Sequence, residues 1–482
     1  MKYLATIGLE VHVQLLTRTK MFCACKTDYG SAPNTQVCPV CLGYPGALPV
    51  INEEAVRLTV LTGLMLGSKI NAFSKFDRKN YFYPDMPKNY QISQYDCPFC
   101  SGGEVEIVCA GRAKKVKLTR IHLEEDVGKN MHLGDTSSVD FNRAGHPLME
   151  IVTDPDMNSP EEAFAFLLAL KQILVYGHVS GCNLEDGNVR CDVNCSIRPE
   201  GQEQLGVKSE IKNLNTFKGV FQALQHEIER QTEVLKSGGV IVQETRRWDS
   251  DRGLTESMRS KEEAHDYRYF PDPDLLPVVL RDEQVELWKK DIPELPRQRC
   301  ERIISQYGIP EYDAKVLSAD KAVADFFEEA AGLSANPKAV SNWVMTDMLR
   351  LLSEKELEIN AAKITPPALA ELVKLADGGT VNSNSARQVF AVMFEKGGRP
   401  EQIIRELGLV QVSDTAELEK IAKQAIADNP KSVADYRGGK EVALKHLVGQ
   451  VMRLSRGKAN PQIAQELLKK ELIKEGTKAE GT

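Results

Sequence analysis

The sequence predicts an α+β protein, in which a mainly antiparallel β unit with helices precedes an all-α domain and a small all-α C-terminal domain. Apolar and polar residues alternate in TIGLEVHVQL (6–15), EVEIV (104–108) and VRCDVNCSI (189–197), as they do in strands with one buried face. Strand patterns fade after residue 296, and apolar residues then recur with the period of helices. The chain has 482 residues, which is too long for one core, so several domains are expected.

Two helices are predicted within the β unit. The first begins after Ser159, which is a good N-cap, and Pro160 suits the first helical position. Its apolar run AFAFLLALKQILVY can stop at Gly177. The second covers roughly residues 216–236 and ends at a pair of glycines.

Two proline-containing segments mark the predicted domain boundaries. The first is IPELP at 292–296, and the second is KGGRP at 396–400. We therefore predict a β unit over 1–291, a helical domain over 292–398 and a helical C-terminal tail over 399–482.

The composition is typical of a globular protein and excludes several other classes. Hydrophobic residues make up 42% of the chain and charged residues 27%, and no apolar run approaches the roughly 20 residues that a membrane span needs. The N-terminus is predicted to be a strand and not a signal peptide, so we expect a cytoplasmic protein. With a net charge of −7 and a pI of about 5.8, any contact with nucleic acid must use a local basic patch.

Acidic side chains lie on the polar faces of several predicted strands. Because side chains alternate along a strand, Glu10 and His12 are neighbours on the face that points away from the core. Other segments add Glu124, Glu125, Glu150, Asp192 and Glu210. Clustered carboxylates raise each other's pKa unless a cation neutralises them, and oxygen ligands with one imidazole suit Mg²⁺ or Mn²⁺. We predict a Mg²⁺ site here, and the alternative is that these are the solvated faces of antiparallel strands.

The sequence has no familiar nucleotide-binding motif. The nearest candidate for a phosphate-binding loop, GQEQLGVKS (201–209), has Val207 between its second glycine and its lysine, which puts Lys and Ser out of register. A kinase glycine-rich loop and a dinucleotide fingerprint are also missing from the sequence. If the protein binds ATP, it must therefore use another fold.

Four of the 11 cysteines predict a structural zinc site. Cys23, Cys25, Cys38 and Cys41 form a C-x-C-x12-C-x2-C pattern within an insertion over 23–41, and four thiolates at this spacing suit tetrahedral Zn²⁺. The alternative is a redox pair or two unrelated pairs of thiols. A second possible knuckle contains Cys97 and Cys100, which can equally be two buried thiols.

Several long motifs are spread along the chain: IGLEVHVQL (7–15), KFDRKNYFYPDMPKNYQISQYD (75–96), RIHLEEDVGK (120–129), PLMEIV (147–152), VRCDVNCSIRP (189–199), SEIKNLN (209–215), QETRRWD (243–249) and DYRYFPDPDLLP (266–277). Together they resemble one family, the B subunits of tRNA-dependent (glutamyl-tRNA(Gln)/aspartyl-tRNA(Asn)) amidotransferases.

The resemblance implies that the β unit is a cradle domain that binds ATP and Mg²⁺. It implies phosphorylation of the side-chain carboxylate of a glutamate or aspartate mischarged on tRNA(Gln) or tRNA(Asn), followed by displacement of phosphate by ammonia. It also implies an amidase subunit that supplies ammonia through a tunnel, a small third subunit, and a helical part and tail that grip the tRNA. The four cysteines fit the zinc-bearing members, although the chemistry of the family does not require zinc.

We assign roles to particular residues on this basis. The expected Mg²⁺ ligands are Glu10, His12, Glu125, Glu150 and Asp192, and the expected catalytic carboxylates are Glu124, Glu125 and Glu210. Lys79 is expected to contact phosphate, and Tyr81 and Tyr83 to stack on ATP or on the 3′-terminal adenosine. The alternative for both tyrosines is core packing, and for Lys79 a plain surface position.

A basic segment near the C-terminus suggests contact with RNA phosphates. Between residues 437 and 458, one acidic residue, Glu441, accompanies Arg437, Lys440, Lys445, His446, Arg453, Arg456 and Lys458. The alternative is an ordinary solvated helix face. For the whole chain, the alternative to an enzyme is a non-catalytic, zinc-bearing, RNA-binding scaffold.

Overall fold

The computed structural model describes residues 2–183, 187–260, 267–409, 415–455, 459 and 461–479. The chain divides into two units, Met1–Pro296 and Arg297–Thr482. The first unit contains the strands and four helices, and the second is helical in its described part, so the predicted α+β fold class is confirmed. The finer division into domains over 1–291, 292–398 and 399–482 stays a prediction.

The first unit consists of 17 strands and four helices in its described part. The strands are β1 Tyr3–Gln14, β2 Lys69–Ile70, β3 Phe73–Ser74, β4 Asp77–Asn80, β5 Tyr90–Ser93, β6 Cys100–Ser101, β7 Glu104–Cys109, β8 Arg112–Glu125, β9 Lys129–Leu133, β10 Thr136–Asp140, β11 Pro147–Thr153, β12 Val189–Pro199, β13 Ser209–Lys212, β14 Glu244–Asp249, β15 Leu254–Ser260, β16 Phe270–Pro271 and β17 Val278–Val279. The helices are α1 Glu53–Met65, α2 Pro160–Tyr176, α3 Phe217–Lys236 and α4 Asp282–Lys289.

A ten-stranded sheet forms the centre of this unit. Its strand order is β15-β14-β13-β12-β1-β11-β8-β6-β2, with β7 paired to β8 beside this path. The pairs are antiparallel apart from β13 and β14, which are parallel. The first strand of the chain therefore lies in the interior of the sheet, between two strands that follow more than 130 residues later.

One face of the sheet is apolar and is covered by α2 and α3. On β1 the buried side chains Ile7, Leu9, Val11 and Val13 belong to the same core as residues of both helices. The predicted N-cap is present, because the Ser159 hydroxyl accepts a hydrogen bond from the first turn of α2. These helices leave the opposite, polar face of the central strands to the acidic side chains.

A buried charge network ties α3 to the edge of the sheet. Glu227 on α3 is fully buried and accepts hydrogen bonds from Arg230 at 2.6 and 2.9 Å, from Gln231 at 2.8 Å and from Thr255 at 2.9 Å. Arg246 of β14 lies 3.4 Å from the same carboxylate. Burial raises the pKa of Glu227, but Arg230 and these hydrogen bonds outweigh it and hold the pKa below its ordinary value.

The second unit is built from helices that form two separate apolar clusters. Its helices are α5 Pro296–Tyr307, α6 Glu311–Ser318, α7 Lys321–Gly332, α8 Pro337–Asn342, α9 Leu349–Glu354, α10 Pro366–Asp377, α11 Ser383–Lys396, α12 Pro400–Glu406, α13 Thr415–Asp428, α14 Pro430–Arg437, α15 Glu441–Leu454 and α16 Pro461–Ala479. One cluster spans residues 300–404 and the other spans residues 418–472. Between α8 and α9 the chain forms a π-helical turn over Trp343–Met348.

The C-terminal helices bury the apolar face that their sequence indicates. Leu418, Ala422 and Ala425 of α13 and Leu447 of α15 are fully buried in the second cluster. None of the helices in the described part of the chain has the length and apolar character needed to cross a bilayer.

Replacing Glu227 by Gln is expected to destabilise the first unit by about 3 kcal/mol, because two arginines lose a buried partner charge. The pKa of Glu227 is lowered by folding, so its stabilisation is present above its unfolded pKa of about 4.3 and is lost as the pH falls through its lower folded value. Urea denaturation at pH 7 and at pH 3.5 measures both effects.

The exposed Glu229 on the same helix supplies the matched control, Glu229→Gln, which should leave the midpoint unchanged. If Glu227→Gln unfolds at the same urea concentration as the wild type at pH 7, the network contributes no net stability.

Candidate active site

Strand register places two histidines and a glutamate in one row on the polar face of the sheet. His12 of β1 faces Glu150 of β11, and Glu150 faces His122 of β8. The Nε2 atoms of His12 and His122 each lie 3.3 Å from Oε2 of Glu150. One carboxylate oxygen is therefore held between two imidazoles.

Glu124 completes this cluster from the same face of β8. Its carboxylate oxygens lie 3.9 Å from Nε2 of His12 and 3.7 Å from Nε2 of His122, and one of them accepts a hydrogen bond from Ser93 at 2.9 Å. Ligand atoms of His12, Glu124 and Glu150 all lie within 4.8 Å of one another. Two carboxylates and one imidazole at this spacing are a donor set that suits Mg²⁺ or Mn²⁺.

The buried charges of this cluster perturb one another. Burial raises the pKa of Glu150, but His122 and His12 outweigh it and hold the pKa well below its usual range. Burial lowers the pKa of His122, but Glu150 and Glu124 reverse the effect and raise that pKa to about 9. The pKa of His12 is also raised, because Glu150 outweighs burial. A bound divalent cation could replace the charge of the histidines in neutralising Glu124 and Glu150.

A second acidic group continues the polar face toward β13. Glu10 faces Asp192 of β12, and Oε1 of Glu10 accepts a hydrogen bond from Asn194 at 2.9 Å. Nζ of Lys212 lies 2.6 Å from Asp192 and 3.1 Å from Glu210. Burial and the nearby carboxylates of Glu150, Asp192 and Glu210 raise the pKa of Glu10. Lys212 thus neutralises part of the negative charge of Asp192 and Glu210. Glu10 is repelled by the charge that remains.

Glu125, the residue predicted as both ligand and catalytic carboxylate, does not join the His12 cluster. Its two carboxylate oxygens lie 2.5 and 2.6 Å from Nζ of Lys88, and one accepts a hydrogen bond from the backbone N–H of Ile92 at 2.9 Å. It lines a cavity of about 60 Å³ together with Cys41. Alternation along β8 explains this placement, because neighbouring residues of a strand point to opposite faces.

The ammonium group of Lys79 lies beside two tyrosine rings, where the charge of Glu124 in the cluster acts on it. Its Nζ lies 4.9 Å from the ring centre of Tyr267 and 6.0 Å from that of Tyr81. Burial lowers the pKa of Lys79, but the charge of Glu124 outweighs it and raises the pKa. Tyr81 is half-buried and has its pKa raised by burial, whereas Tyr83 is 53% exposed and so is not a core residue.

Sequence reasoning missed three residues that shape this region. His122 lies two residues before Glu124, so the alternation of RIHLEED placed both on one face, and this pattern could have identified it. Ser93 and Lys88 come from the segment of β5 and the loop before it. Their roles depend on distant pairing, which no local pattern indicates.

The four predicted cysteines come together beside the sheet. The Sγ atoms of Cys23, Cys25, Cys38 and Cys41 all lie within 4.8 Å of one another, and those of Cys38 and Cys41 are 3.9 Å apart. A tetrahedral site with Zn–S bonds of about 2.3 Å has edges of about 3.8 Å, so the residues fit a structural zinc ion. A hydrogen bond with Cys23 lowers the pKa of the Cys41 thiol to about 4.

Cys97 and Cys100 do not join a metal-binding group among the described residues. Cys100 is fully buried against α1, and burial raises the pKa of its thiol to about 12.

Comparison with known proteins identifies the class of protein that this fold and site define. A model of the GatB/GatE catalytic domain matches residues 5–286, and a model of a GatB domain matches residues 325–472. The chain therefore belongs to the GatB/GatE family.

Curated relatives span the whole length of the chain. It is 55% identical to the B subunit of the aspartyl/glutamyl-tRNA(Asn/Gln) amidotransferase of Thermoanaerobacter pseudethanolicus, over 98% of this chain and 100% of the relative. It is 53% identical to the corresponding protein of Caldicellulosiruptor bescii and 52% identical to that of Thermodesulfovibrio yellowstonii, each over 98% of this chain and 100% of the relative. The predicted family and the predicted enzyme class, a carbon–nitrogen ligase of the amidotransferase type, are confirmed.

Replacing Glu150 by Gln is expected to weaken Mn²⁺ binding to the full chain by at least about tenfold, because the cluster loses its central carboxylate charge. Electron paramagnetic resonance of free Mn²⁺ measures the affinity. Glu161→Gln, at an exposed position on α2, is the matched control and should bind like the wild type. Equal affinities for all three proteins would exclude Glu150 from the site.

Proposed function

We propose that this chain catalyses ATP-dependent transamidation of mischarged Glu-tRNA(Gln), Asp-tRNA(Asn) or both. The observation that carries the proposal is the cluster of His12, Glu124 and Glu150, which lies within the residues that match the catalytic-domain model. Membership of the family supports an amidotransferase that acts on tRNA, and the carboxylate cluster supports activation by phosphoryl transfer.

The chemistry requires activation because a carboxylate does not react with ammonia at neutral pH. Transfer of the terminal phosphoryl group of ATP to the side-chain carboxylate of the aminoacyl-tRNA creates a good leaving group. Ammonia then attacks the acyl carbon, the C–O bond to phosphate breaks with its electron pair, and nitrogen loses a proton to give the amide. The protein must therefore neutralise phosphate charge, align two substrates and accept a proton.

The polar face of the sheet carries groups that can help to neutralise phosphate charge. In this proposal His12, Glu124 and Glu150 hold Mg²⁺, with Glu10 and Asp192 beside them. Bound Mg²⁺ would neutralise the charge that develops on the phosphate oxygens. Ser93 and His122 keep the two carboxylates of the cluster in place.

Lys79 and the adjoining tyrosines suit the alignment of the nucleotide. The ammonium group of Lys79 is held over Tyr267 and has no hydrogen bond or ion pair among the described residues, so it can bind a phosphate oxygen. Tyr81 lies beside it for stacking on ATP or the terminal adenosine. Two carboxylates are candidates to accept the proton that nitrogen loses. They are Glu210, close to Lys212, and Glu125, close to Lys88.

The proposal includes partners that the chain needs for the complete reaction. An amidase subunit would release ammonia from glutamine and pass it through a tunnel, and a small third subunit would complete the assembly in the cytoplasm. The four-cysteine cluster would hold a structural zinc ion, because four protein ligands close the coordination of the metal.

The C-terminal helices would contribute contacts with tRNA phosphates. Lys445, His446 and Arg453 are exposed on α15, whereas Lys440 is paired with Asp435 at 2.8 Å. His446 and Arg453 are seven residues apart and share a helix face. The predicted contacts Arg456 and Lys458 lie outside the described residues.

Glu124→Gln and Glu125→Gln are both expected to lower tRNA-dependent ADP release by the assembled enzyme by at least about a hundredfold. Excess Mn²⁺ should partly restore the activity of Glu124→Gln, because that residue belongs to the metal cluster. It should not restore that of Glu125→Gln, whose carboxylate contacts Lys88 instead. Glutaminase activity of the partner subunit, measured in the same samples, controls for assembly.

ADP release at the wild-type rate by Glu124→Gln would remove the cluster from the phosphoryl-transfer step. No ADP release by the wild type with any mischarged tRNA would favour the scaffold alternative.

Replacing Lys445 and Arg453 together by Ala is expected to weaken tRNA binding at moderate salt. The slope of log affinity against log salt should become shallower by about 0.7 to 0.9 for each phosphate that the variant no longer neutralises. Filter binding at several salt concentrations measures both quantities. A double variant at two exposed basic positions of the first unit, Arg281→Ala with Lys290→Ala, is the control, and equal slopes for the two would contradict the tail's role.

A further inference from the structure

Lys20 is a fully buried lysine whose ammonium group faces the cysteine cluster. Its relative exposure is 0%, and it ranks among the largest fully buried side chains of the described residues. Its Nζ donates to the carbonyl oxygen of Phe141 at 3.3 Å and to Sγ of Cys41 at 3.7 Å. Within the described part of the chain it has no carboxylate partner.

A buried ammonium group of this kind needs a negative charge nearby. Burying a cation with neutral partners alone is strongly unfavourable, so buried lysines and arginines are normally paired with anions. Two other largely buried cations of this unit follow the rule, since Lys88 is paired with Glu125 and Arg246 with Glu227. At Lys20, the thiol of Cys41 lies where the other two cations have a carboxylate partner.

Glu125 is a carboxylate close to the Lys20 side chain, but it is already paired with Lys88. The three side chains meet at Gly145, where an added Cβ atom would lie 3.4 Å from Cβ of Cys41, 3.5 Å from Cδ of Lys20 and 3.9 Å from Oε2 of Glu125. Both oxygens of Glu125 are nevertheless engaged by Lys88. The adjoining cavity of about 60 Å³ has room for a few waters, but water carries no charge to offset the ammonium.

Four thiolates around one Zn²⁺ would supply the missing charge. The sulfur atoms fit a tetrahedral site, as their separations show, and such a site carries a net charge of −2. We propose that Lys20 is a built-in counter-cation of this tetrathiolate site, and that its charge holds the metal ion in place. Through Phe141 it also anchors the site to the segment that precedes β11.

The role differs from ordinary packing because the charge has opposite effects on the two forms of the protein. With metal bound, the ammonium offsets thiolate charge and strengthens binding. Without metal, Cys41 is the one group of the described residues placed to offset it, and burying a single charge pair of this kind costs stability. Substituting Met, which has a similar length and no charge, should therefore weaken metal binding without destabilising the metal-free fold.

The test uses the full chain with Zn²⁺ alone as the probe. Competition with a chromogenic chelator should give a zinc affinity at least about tenfold weaker for Lys20→Met than for the wild type, and Lys20→Arg should recover most of the loss. Thermal melting of the metal-free proteins should give an equal or higher midpoint for Lys20→Met. The control is Lys26→Met, since Lys26 is exposed in the same insertion and should change neither quantity.

Three results would overturn the inference. The first is a Lys20→Met protein that binds zinc as tightly as the wild type, and the second is a wild-type protein that binds no zinc. The third is a Lys20→Met protein whose metal-free midpoint falls while Lys20→Arg fails to recover zinc binding, which would show that Lys20 acts through packing. These readouts do not involve ADP release, so they are independent of the proposed reaction.

Discussion

The register between β1, β11 and β8 is the constraint on which the rest of the structure depends. It puts His12, Glu150 and His122 in line across three strands, and a slip of one residue in any pair would turn a member of the row toward the apolar face. The opposite face specifies this register, because Ile7, Leu9 and their neighbours must remain under α2 and α3. The core and the candidate site are therefore fixed by the same pairing.

Compensation of buried charge recurs throughout the first unit. Glu150 is held by two imidazoles, Asp192 and Glu210 share Lys212, and Glu227 is held by arginines. Two groups have less compensation than their neighbours. Glu10 faces surrounding carboxylates, and Lys20 faces a cluster of thiols. A divalent cation would restore the balance directly at Glu10, and at Lys20 it would do so by holding the four thiols as thiolates.

Much of this arrangement could be predicted from the sequence, and its failures have clear physical causes. Alternation of side chains identified the polar faces that carry Glu10, His12, Glu150 and Asp192, and cysteine spacing identified the four thiols. Glu124 and Glu125 are consecutive in the sequence, so the pattern offered two carboxylates where a strand can direct only one toward the cluster. The environments of Lys20 and Lys88 could not be predicted from the sequence, because their partners Phe141 and Glu125 are distant along the chain.

The position of β1 in the sheet has a consequence for how the chain must be made. Tyr3 of this strand pairs with Pro199, and Gln14 pairs with Leu148, so both neighbours of the strand are synthesised long after it. Until then its apolar residues have no sheet to join, and closing such distant pairs is slow. The strand therefore lacks a complete pair of sheet neighbours until the chain has been synthesised to residue 199, and such an exposed, unpaired strand edge favours aggregation.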